Sequence, residues 1–364
     1  VGWMGERGVG LTVVLSPSNV RYLSGTEHAY ALVVGGDGEA FLVAQYAFGD
    51  GLAEEETFLP VRSVKPEYER GRKWAGMARS LAGEVRSIGL RFKRVACDDP
   101  GSEEAARIRA ALKREFGRRI AMVDASMVLR DMRAVKSGAE IRLIREAARV
   151  ASRAFEEVCD SVREGVTEIE LAAELEARMR VLGAERPSFD SIVAFGEHTF
   201  NAHHAPTRRR LRRGEPVLFD FGASLEGYKS DVTRTYFFGG EPDDRFREVY
   251  EAVLEAQEEG MREARPGAEA QDPDLAAREV LKGRGLAGYF VHSLGHGVGL
   301  EIHEHPRLLV GRRDVRGEGM AVTIEPGVYI KGWGGVRIED TVALGRGGTE
   351  VLTEGPPKEV KWPW

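Results

Sequence analysis

The order of hydrophobic and polar positions divides the start of the chain into alternating strand-like and helix-like segments. Four short runs of β-branched and aromatic residues are bounded by Gly, Pro or Asp, which is typical of β-strands. These runs are LTVVLS (11–16), YALVVGG (30–36), AFLVAQY (40–46) and RVACDD (94–99). Residues 67–85 and 102–117 repeat hydrophobic positions with helical spacing, and Ser102 is suited to cap the second helix. The pattern predicts a small α/β N-terminal domain without a catalytic motif.

The rest of the chain has a different pattern, which repeats internally. Residues 139–162 form one long amphipathic helical pattern. TEIELAAELEARMRVLG (167–183) is similar to DPDLAAREVLKGRGL (272–286), and each is followed by a histidine-bearing stretch and an apolar strand pair, at 216–238 and 320–344. A helix followed by a hairpin, twice, predicts an α+β domain with internal pseudo-duplication and a site between its halves.

Length and charge limit the number of domains and the kinds of partner. At 364 residues the chain is too long for one ordinary core, and a boundary within 129–140 gives domains 1–133 and 134–364. The net charge of −6 gives no electrostatic reason to expect a nucleic-acid partner. No apolar run approaches the roughly 20 residues that span a bilayer, so we expect no membrane partner. The start lacks a signal-peptide pattern, and Cys97 and Cys159 are expected to be reduced thiols, which predicts a cytoplasmic location.

Two apolar hairpins carry acidic residues at facing positions. A two-residue turn centred on Leu225–Glu226 is predicted for the first hairpin, and a loop centred on Gly332 for the second. These registers make direct cross-strand partners of Asp220 with Asp231 and of Glu325 with Glu339. Directly opposed side chains have Cβ atoms roughly 5 Å apart, so like charges there are destabilising unless something neutralises them.

A shared proton, a basic partner or metal cations could each neutralise such pairs. Two acid pairs would need two shared protons, and Arg234 or Arg337 could form structural salt bridges with the neighbouring acids. Metal is favoured because histidines are available, since seven of the eight lie between His198 and His305. Four carboxylates and one imidazole suit two hard or borderline divalent ions, such as Mn²⁺, Co²⁺ or Fe²⁺.

Spacing alone does not settle which histidine is the ligand. His296 is the best candidate because it lies between glycines in GHGVG, where the backbone can approach an ion closely. The HEH sequence at 303–305 lacks the helical spacing of zinc proteases, and Pro306 follows it directly. An ordinary zinc protease is therefore disfavoured.

These motifs resemble those of the pita-bread metallopeptidases: methionine aminopeptidase, prolidase and aminopeptidase P, with creatinase as a relative. DFGASLEGYKSDVTRT, HSLGHGVGLEIHEHP, IEPGVY and GVRIED occur in the family's order within roughly residues 135–350. The resemblance implies a pita-bread catalytic domain with a dinuclear site and five metal ligands. These ligands are Asp220, Asp231, His296, Glu325 and Glu339. The N-terminal domain is unlike the small methionine aminopeptidases and similar to that of prolidase, aminopeptidase P and creatinase.

The resemblance also implies roles for other residues. The catalytic residues implied are His203, His303, Glu325 and His292, and the substrate-binding residues are Arg337 and His204. Glu325 is hypothesised to carry a proton from the attacking water to the leaving nitrogen. His198 and His305 are interpreted as ordinary loop histidines, and the basic run at 207–216 as a solvated turn.

The function implied by the resemblance is hydrolysis of the Xaa-Pro bond at the N-terminus of peptides. Two divalent ions are the expected cofactors, Mn²⁺ or Co²⁺ with Zn²⁺ as a further candidate, and a homodimer is expected from resemblance only. Aminopeptidase P, which takes longer peptides, is preferred to prolidase, which takes dipeptides. A creatinase-like amidinohydrolase and a non-catalytic peptide-binding module on the same scaffold stay open as alternatives. The presence of all five ligands disfavours both.

Overall fold

The chain divides into two units, Val1–Met132 and Arg133–Trp364. The computed structural model describes residues 2–47, 49–65, 73–90, 92–117 and 119–362. The sequence places a domain boundary after residue 133, and that functional boundary stays a prediction. Within the described ranges, no helix is both long enough and apolar enough to cross a membrane.

A mixed β-sheet forms the centre of the first unit. Its elements are α1 (Gly2–Glu6), β1 (Leu11–Val14), α2 (Pro17–Ser24), β2 (Ala31–Gly35), β3 (Ala40–Gln45), α3 (Asp50–Glu56), β4 (Val61–Val64), α4 (Lys73–Ser87), β5 (Arg94–Cys97), α5 (Glu103–Phe116), β6 (Ala121–Asp124) and α6 (Ser126–Ala134), whose last residues belong to the second unit. Among the described residues the strand order is β4-β3-β2-β1-β5-β6. The β1–β5, β5–β6 and β3–β4 pairs are parallel and the other neighbours are antiparallel.

Both faces of this sheet are buried, because neighbouring residues of a strand point to opposite sides. Val13 and Val33 belong to a hydrophobic cluster that includes residues of α4 and α5. Val14 and Leu32 belong to another cluster, which includes residues of α2 and α6. The predicted α/β class of the N-terminal region is thereby confirmed.

The individual elements of the first unit follow the sequence prediction where they can be compared. All four predicted strands are present, as β1, β2, β3 and β5. The Ser102 hydroxyl accepts a hydrogen bond from the Ala105 amide at 3.1 Å and caps α5, as predicted. Of the helix predicted over 67–85, the part from Lys73 onward forms α4, and residues 67–72 lie outside the described ranges.

Two halves with the same order of elements make up the second unit. The first half contains α7 (Gly138–Val158), α8 (Glu168–Val181), β7 (Arg186–Pro187), β8 (Ile192–Phe195), β9 (Glu215–Phe221), β10 (Ala223–Leu225), β11 (Tyr228–Lys229) and β12 (Val232–Phe238). The second half contains α9 (Asp244–Glu263), α10 (Asp272–Gly283), β13 (Gly295–Gly297), β14 (Glu304–Leu308), β15 (Ala321–Ile324), β16 (Gly327–Ile330), β17 (Gly334–Arg337), β18 (Asp340–Gly345) and β19 (Gly348–Val351). A helix pair followed by antiparallel strands, twice, confirms the predicted pseudo-duplicated α+β domain.

Each helix pair covers the sheet of its own half. Among the described residues, the main sheet of the first half has the order β12-β9-β8, and that of the second half has the order β14-β13-β15-β18-β19. One hydrophobic cluster joins α7 and α8 to β9 and β12, and another joins α9 and α10 to β15 and β18. The predicted long amphipathic helix is α7, which begins at a capping box formed by Ser137 and Glu140.

The register of the first hairpin differs from the sequence prediction. Its two-residue turn is centred on Glu226–Gly227, with φ values of 47° and 78°, one residue later than predicted. Asp220 therefore pairs with Thr233, and the predicted direct opposition of Asp220 and Asp231 is wrong. A turn of this kind needs positive φ at both central residues, which glycine adopts without strain, so Gly227 belongs inside the turn. Asp231, two residues before Thr233, becomes a diagonal neighbour of Asp220.

The second hairpin has the predicted register. Gly332 lies at its centre with a φ of 77°. Glu325 and Glu339 fall between two ladders, and their amides bond elsewhere, to Leu294 O at 2.8 Å and to Thr233 O at 3.0 Å. The residue pairs that flank the two acids are Gly327–Arg337 and Ile324–Asp340.

We expect Phe155 in α7 to be a main stabilising residue of the first half. Its ring centroid lies 5.2 Å from those of Phe219 and Phe221 and 6.2 Å from that of Trp362, and Phe155 is 1% exposed. Phe155→Ala should lower the free energy of unfolding by about 3–5 kcal/mol, measured by urea denaturation. The matched control is Phe58→Ala, at a phenylalanine that is 86% exposed. Equal effects of the two substitutions would contradict the assignment.

Candidate active site

A single cavity of about 820 Å³ collects the residues that the sequence singled out. The predicted site residues that line it are His203, His204, Asp220, Asp231, His292, His296, His303, Glu325, Arg337 and Glu339. The first half supplies α8, the loop after β8 and the acids of the first hairpin, while the second half supplies the remaining groups. The cavity therefore lies between the halves, as the internal repeat predicts. Its apolar wall includes Ile169, Phe189, Ile192 and Ile302.

The four predicted carboxylates line the cavity close to strand ends: Asp220, Asp231, Glu325 and Glu339. Glu339 is 1% exposed and Asp231 is 5% exposed, so water screens neither charge well. Burial, and then the charges of Glu339, Asp220 and Glu325, raises the pKa of Asp231 well above its usual value. Burial, and then the charges of Glu325 and Asp220, raises the pKa of Glu339 in the same way. Protein groups alone therefore do not neutralise this cluster.

Asp220 has one paired and one unpaired oxygen. Its Oδ2 accepts a hydrogen bond from Arg337 Nη2 at 2.5 Å. Its Oδ1 is buried, with no hydrogen-bond partner among the described residues. Burial raises the pKa of Asp220 although the Arg337 charge lowers it. A buried carboxylate oxygen without a donor is costly, which indicates that a cation completes its environment.

The salt-bridge alternative considered from the sequence accounts for only one acid of the cavity. Arg337 pairs with Asp220. Arg234 instead pairs with Asp340, Nη2 to Oδ1 at 2.8 Å, which does not line the cavity. Among the described residues, Asp231, Glu325 and Glu339 therefore form no ion pair with an arginine.

The His296 ring is oriented so that one nitrogen faces the acids. Its Nδ1 donates to the Gly297 carbonyl at 3.1 Å, which leaves Nε2 3.3 Å from Glu325 Oε1 and 3.7 Å from Asp231 Oδ2. A neutral imidazole held through Nδ1 presents Nε2 as a metal ligand.

The donor set fits divalent cations. Asp231, His296 and Glu339 offer ligand atoms within 4.8 Å of one another, and the unpaired Oδ1 of Asp220 adds another oxygen to the same cavity. An oxygen-rich set with one imidazole suits Mn²⁺, Co²⁺ or Fe²⁺ better than a thiolate-rich zinc site would.

A hydrogen-bonded chain connects Arg337 to His292 through Tyr329, a residue that the sequence did not single out. Arg337 Nη1 donates to the Tyr329 hydroxyl at 2.7 Å, and that hydroxyl lies 2.9 Å from His292 Nε2. Because His292 Nδ1 donates to the Ser293 carbonyl, Nε2 accepts from Tyr329. Burial lowers the pKa of His292, which favours the neutral ring. Gly335 lies opposite Tyr329 and leaves room for its ring, because a Cβ at position 335 would lie 2.7 Å from that ring.

The remaining histidines occupy distinct positions. The ring centroid of His303 lies 4.3 Å from that of His296, and burial lowers the pKa of His303. His203 is exposed at the cavity. His204 is buried, and its Nε2 lies 2.9 Å from an oxygen of Glu168. His198, interpreted above as an ordinary loop histidine, bonds the other oxygen of Glu168 at 2.9 Å.

Sequence reasoning missed Glu168, although the chain carries a signal for it. Glu168 has the same helical spacing as Leu171, Ala172 and Leu175, all of which are buried on one face of α8. An acidic residue on the apolar face of a helix indicates a specific buried role, because an unpaired charge there is costly.

The chain belongs to metallopeptidase family M24. Residues 142–346 match that family, and residues 1–135 match the Creatinase/Prolidase N-terminal domain. The fold is therefore the creatinase-type N-terminal domain with a pita-bread catalytic domain, the chain is an enzyme of the metallopeptidase class, and divalent metal ions are implied.

Named relatives are similar to the chain over nearly its whole length. The Xaa-Pro dipeptidase of Pyrococcus furiosus is 36% identical over 356 residues, which cover 97% of this chain and 96% of that protein. The solved prolidase from Pyrococcus furiosus has a TM-score of 0.86 at 35% identity, covering 98% of this chain and 99% of that one. The X-Pro aminopeptidase from Thermotoga maritima has a TM-score of 0.86 at 32% identity, with the same coverage.

Metal addition should stabilise the chelator-treated protein. At a Mn²⁺ concentration of 100 times Kd, the expected gain in the free energy of unfolding is about 2.7 kcal/mol, measured by denaturation with and without metal.

Asp231→Asn should weaken Mn²⁺ binding more than about 100-fold, because the loss of a residue that only supports a metal ligand already lowers metal affinity about 10–100-fold. The matched control is Asp160→Asn, an exposed aspartate outside the cavity. Wild-type affinity in Asp231→Asn would contradict the metal site.

Proposed function

We propose that the chain is an Xaa-Pro peptidase, which hydrolyses the bond between the first residue of a peptide and a following proline. The observation that carries the proposal is the convergence of four carboxylates, three of them buried, and His296 on one cavity. The relatives called Xaa-Pro dipeptidase and X-Pro aminopeptidase support the substrate class. Proline is distinctive because the Xaa-Pro bond has no N–H, so it needs a site that does not depend on that donor.

The proposal includes two divalent ions, with Mn²⁺ or Co²⁺ preferred and Zn²⁺ as the third candidate. The ligands would be the cavity residues Asp220, Asp231, His296, Glu325 and Glu339. Bound ions supply Lewis acidity, which activates water and polarises a carbonyl group. A cytoplasmic location is supported by two buried free cysteines. A homodimer stays a prediction from the family resemblance.

Glu325 is proposed as the group that moves the proton. Its Oε1 accepts a hydrogen bond from the Thr323 hydroxyl at 3.2 Å and lies 3.3 Å from His296 Nε2, so this oxygen stands among the proposed metal ligands. As a carboxylate it can accept a proton from the attacking water. The same oxygen can return the proton to the leaving nitrogen, which must be protonated when the bond breaks.

The histidines are proposed to hold the substrate and to stabilise developing charge. Burial lowers the pKa of His303, so its neutral ring can donate an N–H to the developing oxyanion. His203 and His292 line the same cavity and would orient the peptide.

Arg337 and His204 are proposed to bind substrate, as the resemblance implies, because both line the cavity. Arg337 also holds Asp220 and Tyr329 by hydrogen bonds. Its position therefore depends on the carboxylate cluster, and substrate binding would be sensitive to the same charges.

The substrate class is tested with chelator-treated protein reloaded separately with Mn²⁺, Co²⁺ and Zn²⁺. We expect metal-dependent cleavage of Ala-Pro and Ala-Pro-Ala and none of Met-Ala-Ser. The ratio of the first two rates separates a dipeptidase from an aminopeptidase. Cleavage of Met-Ala-Ser alone, or of no peptide at full metal loading, would refute the proposed substrate class.

Glu325→Gln tests the proton-transfer role. We expect kcat to fall about 10²–10⁴-fold, the usual contribution of a positioned acid–base group, with metal content brought to the wild-type level by excess ion. Glu318→Gln is the control, since Glu318 is an exposed partner of Arg346. Turnover near that of the wild type in fully loaded Glu325→Gln would remove Glu325 from this role.

A further inference from the structure

Each half of the second unit has one buried carboxylate at the start of its second helix. Glu168 is the first residue of α8, and Asp274 lies in the first turn of α10. Both residues are 0% exposed, and neither lines the cavity. A buried charge at such a position requires several donors.

Glu168 ties the two ends of the loop that carries the first group of histidines. Its oxygens accept hydrogen bonds from the Phe195 amide at 2.9 Å and from the Thr207 amide at 3.0 Å. The residues between these two amides, 196–206, form the first histidine segment, which includes His203 and His204 at the cavity. The carboxylate therefore closes this segment at its base.

Asp274 does the same for the second group of histidines. Its Oδ1 accepts from the Leu294 amide at 2.8 Å and its Oδ2 accepts from the Val310 amide at 3.1 Å. The residues between these amides, 295–309, form the second histidine segment, with His296 and His303 at the cavity. The two halves therefore use the same device, although one uses a glutamate and the other an aspartate.

Each carboxylate also organises side chains around its segment. Glu168 accepts from His198 Nδ1 and His204 Nε2, both at 2.9 Å, and from the Thr207 hydroxyl at 2.6 Å. Asp274 accepts from Arg278 Nε at 2.9 Å. Arg278 in turn donates to the His292 carbonyl at 2.6 Å, just before the second histidine segment.

The cluster of Glu168, His198 and His204 also has the composition of a metal site. Five donors from protein groups already approach the Glu168 carboxylate, whereas an ionised carboxylate offers about four lone-pair sites. Glu168 therefore has no acceptor capacity left for an ion. The cluster is a hydrogen-bonded anchor of the loop.

We propose that Glu168 and Asp274 are positioning residues, each of which closes one histidine segment at both ends and so holds its histidines at the cavity. The inference rests on the proposed function for its catalytic consequences. It assigns different consequences to the two residues, because the first segment contains no proposed metal ligand and the second contains His296.

Glu168→Gln and Asp274→Asn in the full chain test the proposal. Glu168→Gln should lower kcat for Ala-Pro about 10–100-fold at saturating Mn²⁺, since a misplacement of 1 Å can cost 100-fold, and should leave the Kd for Mn²⁺ unchanged. Asp274→Asn should raise the Kd for Mn²⁺ about 10–100-fold, as expected for a residue that orients a ligand. Calorimetric titration of chelator-treated protein with Mn²⁺ measures Kd without any assay of activity.

Matched controls come from the same helix turns. Glu170→Gln removes a charge two residues after Glu168, where the side chain is at the surface and belongs to a capping box. Asp272→Asn alters an acid whose carboxylate accepts a hydrogen bond from the Glu269 amide, outside the histidine segments. Both controls should keep the wild-type kcat and Kd.

Three results would overturn the proposal. Wild-type kcat in folded Glu168→Gln would do so, as would wild-type Mn²⁺ affinity in folded Asp274→Asn. Parallel losses of kcat and Mn²⁺ affinity in both variants, in proportion to the fall in Tm, would show a merely structural role. If wild type cleaves no proline peptide, the proposed function fails, but the contrast in Mn²⁺ affinity between the variants still decides this inference.

Milder variants cover the case in which either substitution prevents folding. Thr207→Val removes one donor to Glu168, and Arg278→Lys removes the fork that joins Asp274 to the His292 carbonyl. We expect the same two effects at smaller magnitude: a fall in kcat for Thr207→Val and a weaker Mn²⁺ affinity for Arg278→Lys. Wild-type values in both would overturn the proposal.

Discussion

Mutual repulsion among four carboxylates that converge on one cavity is the constraint on which the second unit depends. Asp220, Asp231, Glu325 and Glu339 line one cavity, and the Arg337 guanidinium pairs with only one of them, Asp220. Water screens them poorly, because three of these acids are less than a tenth exposed. Such an arrangement opposes folding until cations bind, so the scaffold around the site has to be stable through interactions that do not involve the site.

The two halves supply that stability and meet at one of the acids. The amide of Glu339, from the second half, donates to the Thr233 carbonyl of the first half at 3.0 Å, and the Thr233 hydroxyl donates to Glu339 Oε2 at 2.6 Å. A hydrophobic cluster joins each sheet to the helix pair of its own half. Glu325 and Glu339 stand where the regular ladders are interrupted, so their side chains enter the cavity while their amides remain bonded to Leu294 O and Thr233 O.

Local patterns predicted the elements, the repeat and the set of cavity residues, because periodicity and motif order are properties of short stretches of sequence. The register of the second hairpin was predictable from Gly332, which adopts the positive φ at its centre. The register of the first was not, since its turn places Glu226, a non-glycine residue, at positive φ. Glu168 and Asp274 were missed for another reason: their partners lie far along the chain, and no local spacing indicates which amides a buried carboxylate will meet.

The alternating direction of side chains along a strand explains how an acid without a cationic partner can lie beside an acid that has two. Successive strand residues point to opposite faces, so Glu339 faces the cavity while Asp340 faces away from it. Asp340 is paired with Arg234 at 2.8 Å and with Lys358 at 2.5 Å. Burial raises the pKa of Asp340, but the charges of Arg234 and Lys358 outweigh burial and lower it. Among the residues that the structure describes, Glu339 has no such cationic partner, and burial, followed by the charges of Glu325 and Asp220, raises its pKa. Protein cations therefore neutralise the acid behind the sheet, while Glu339 in the cavity remains available to a bound cation, as a metal-binding cavity requires.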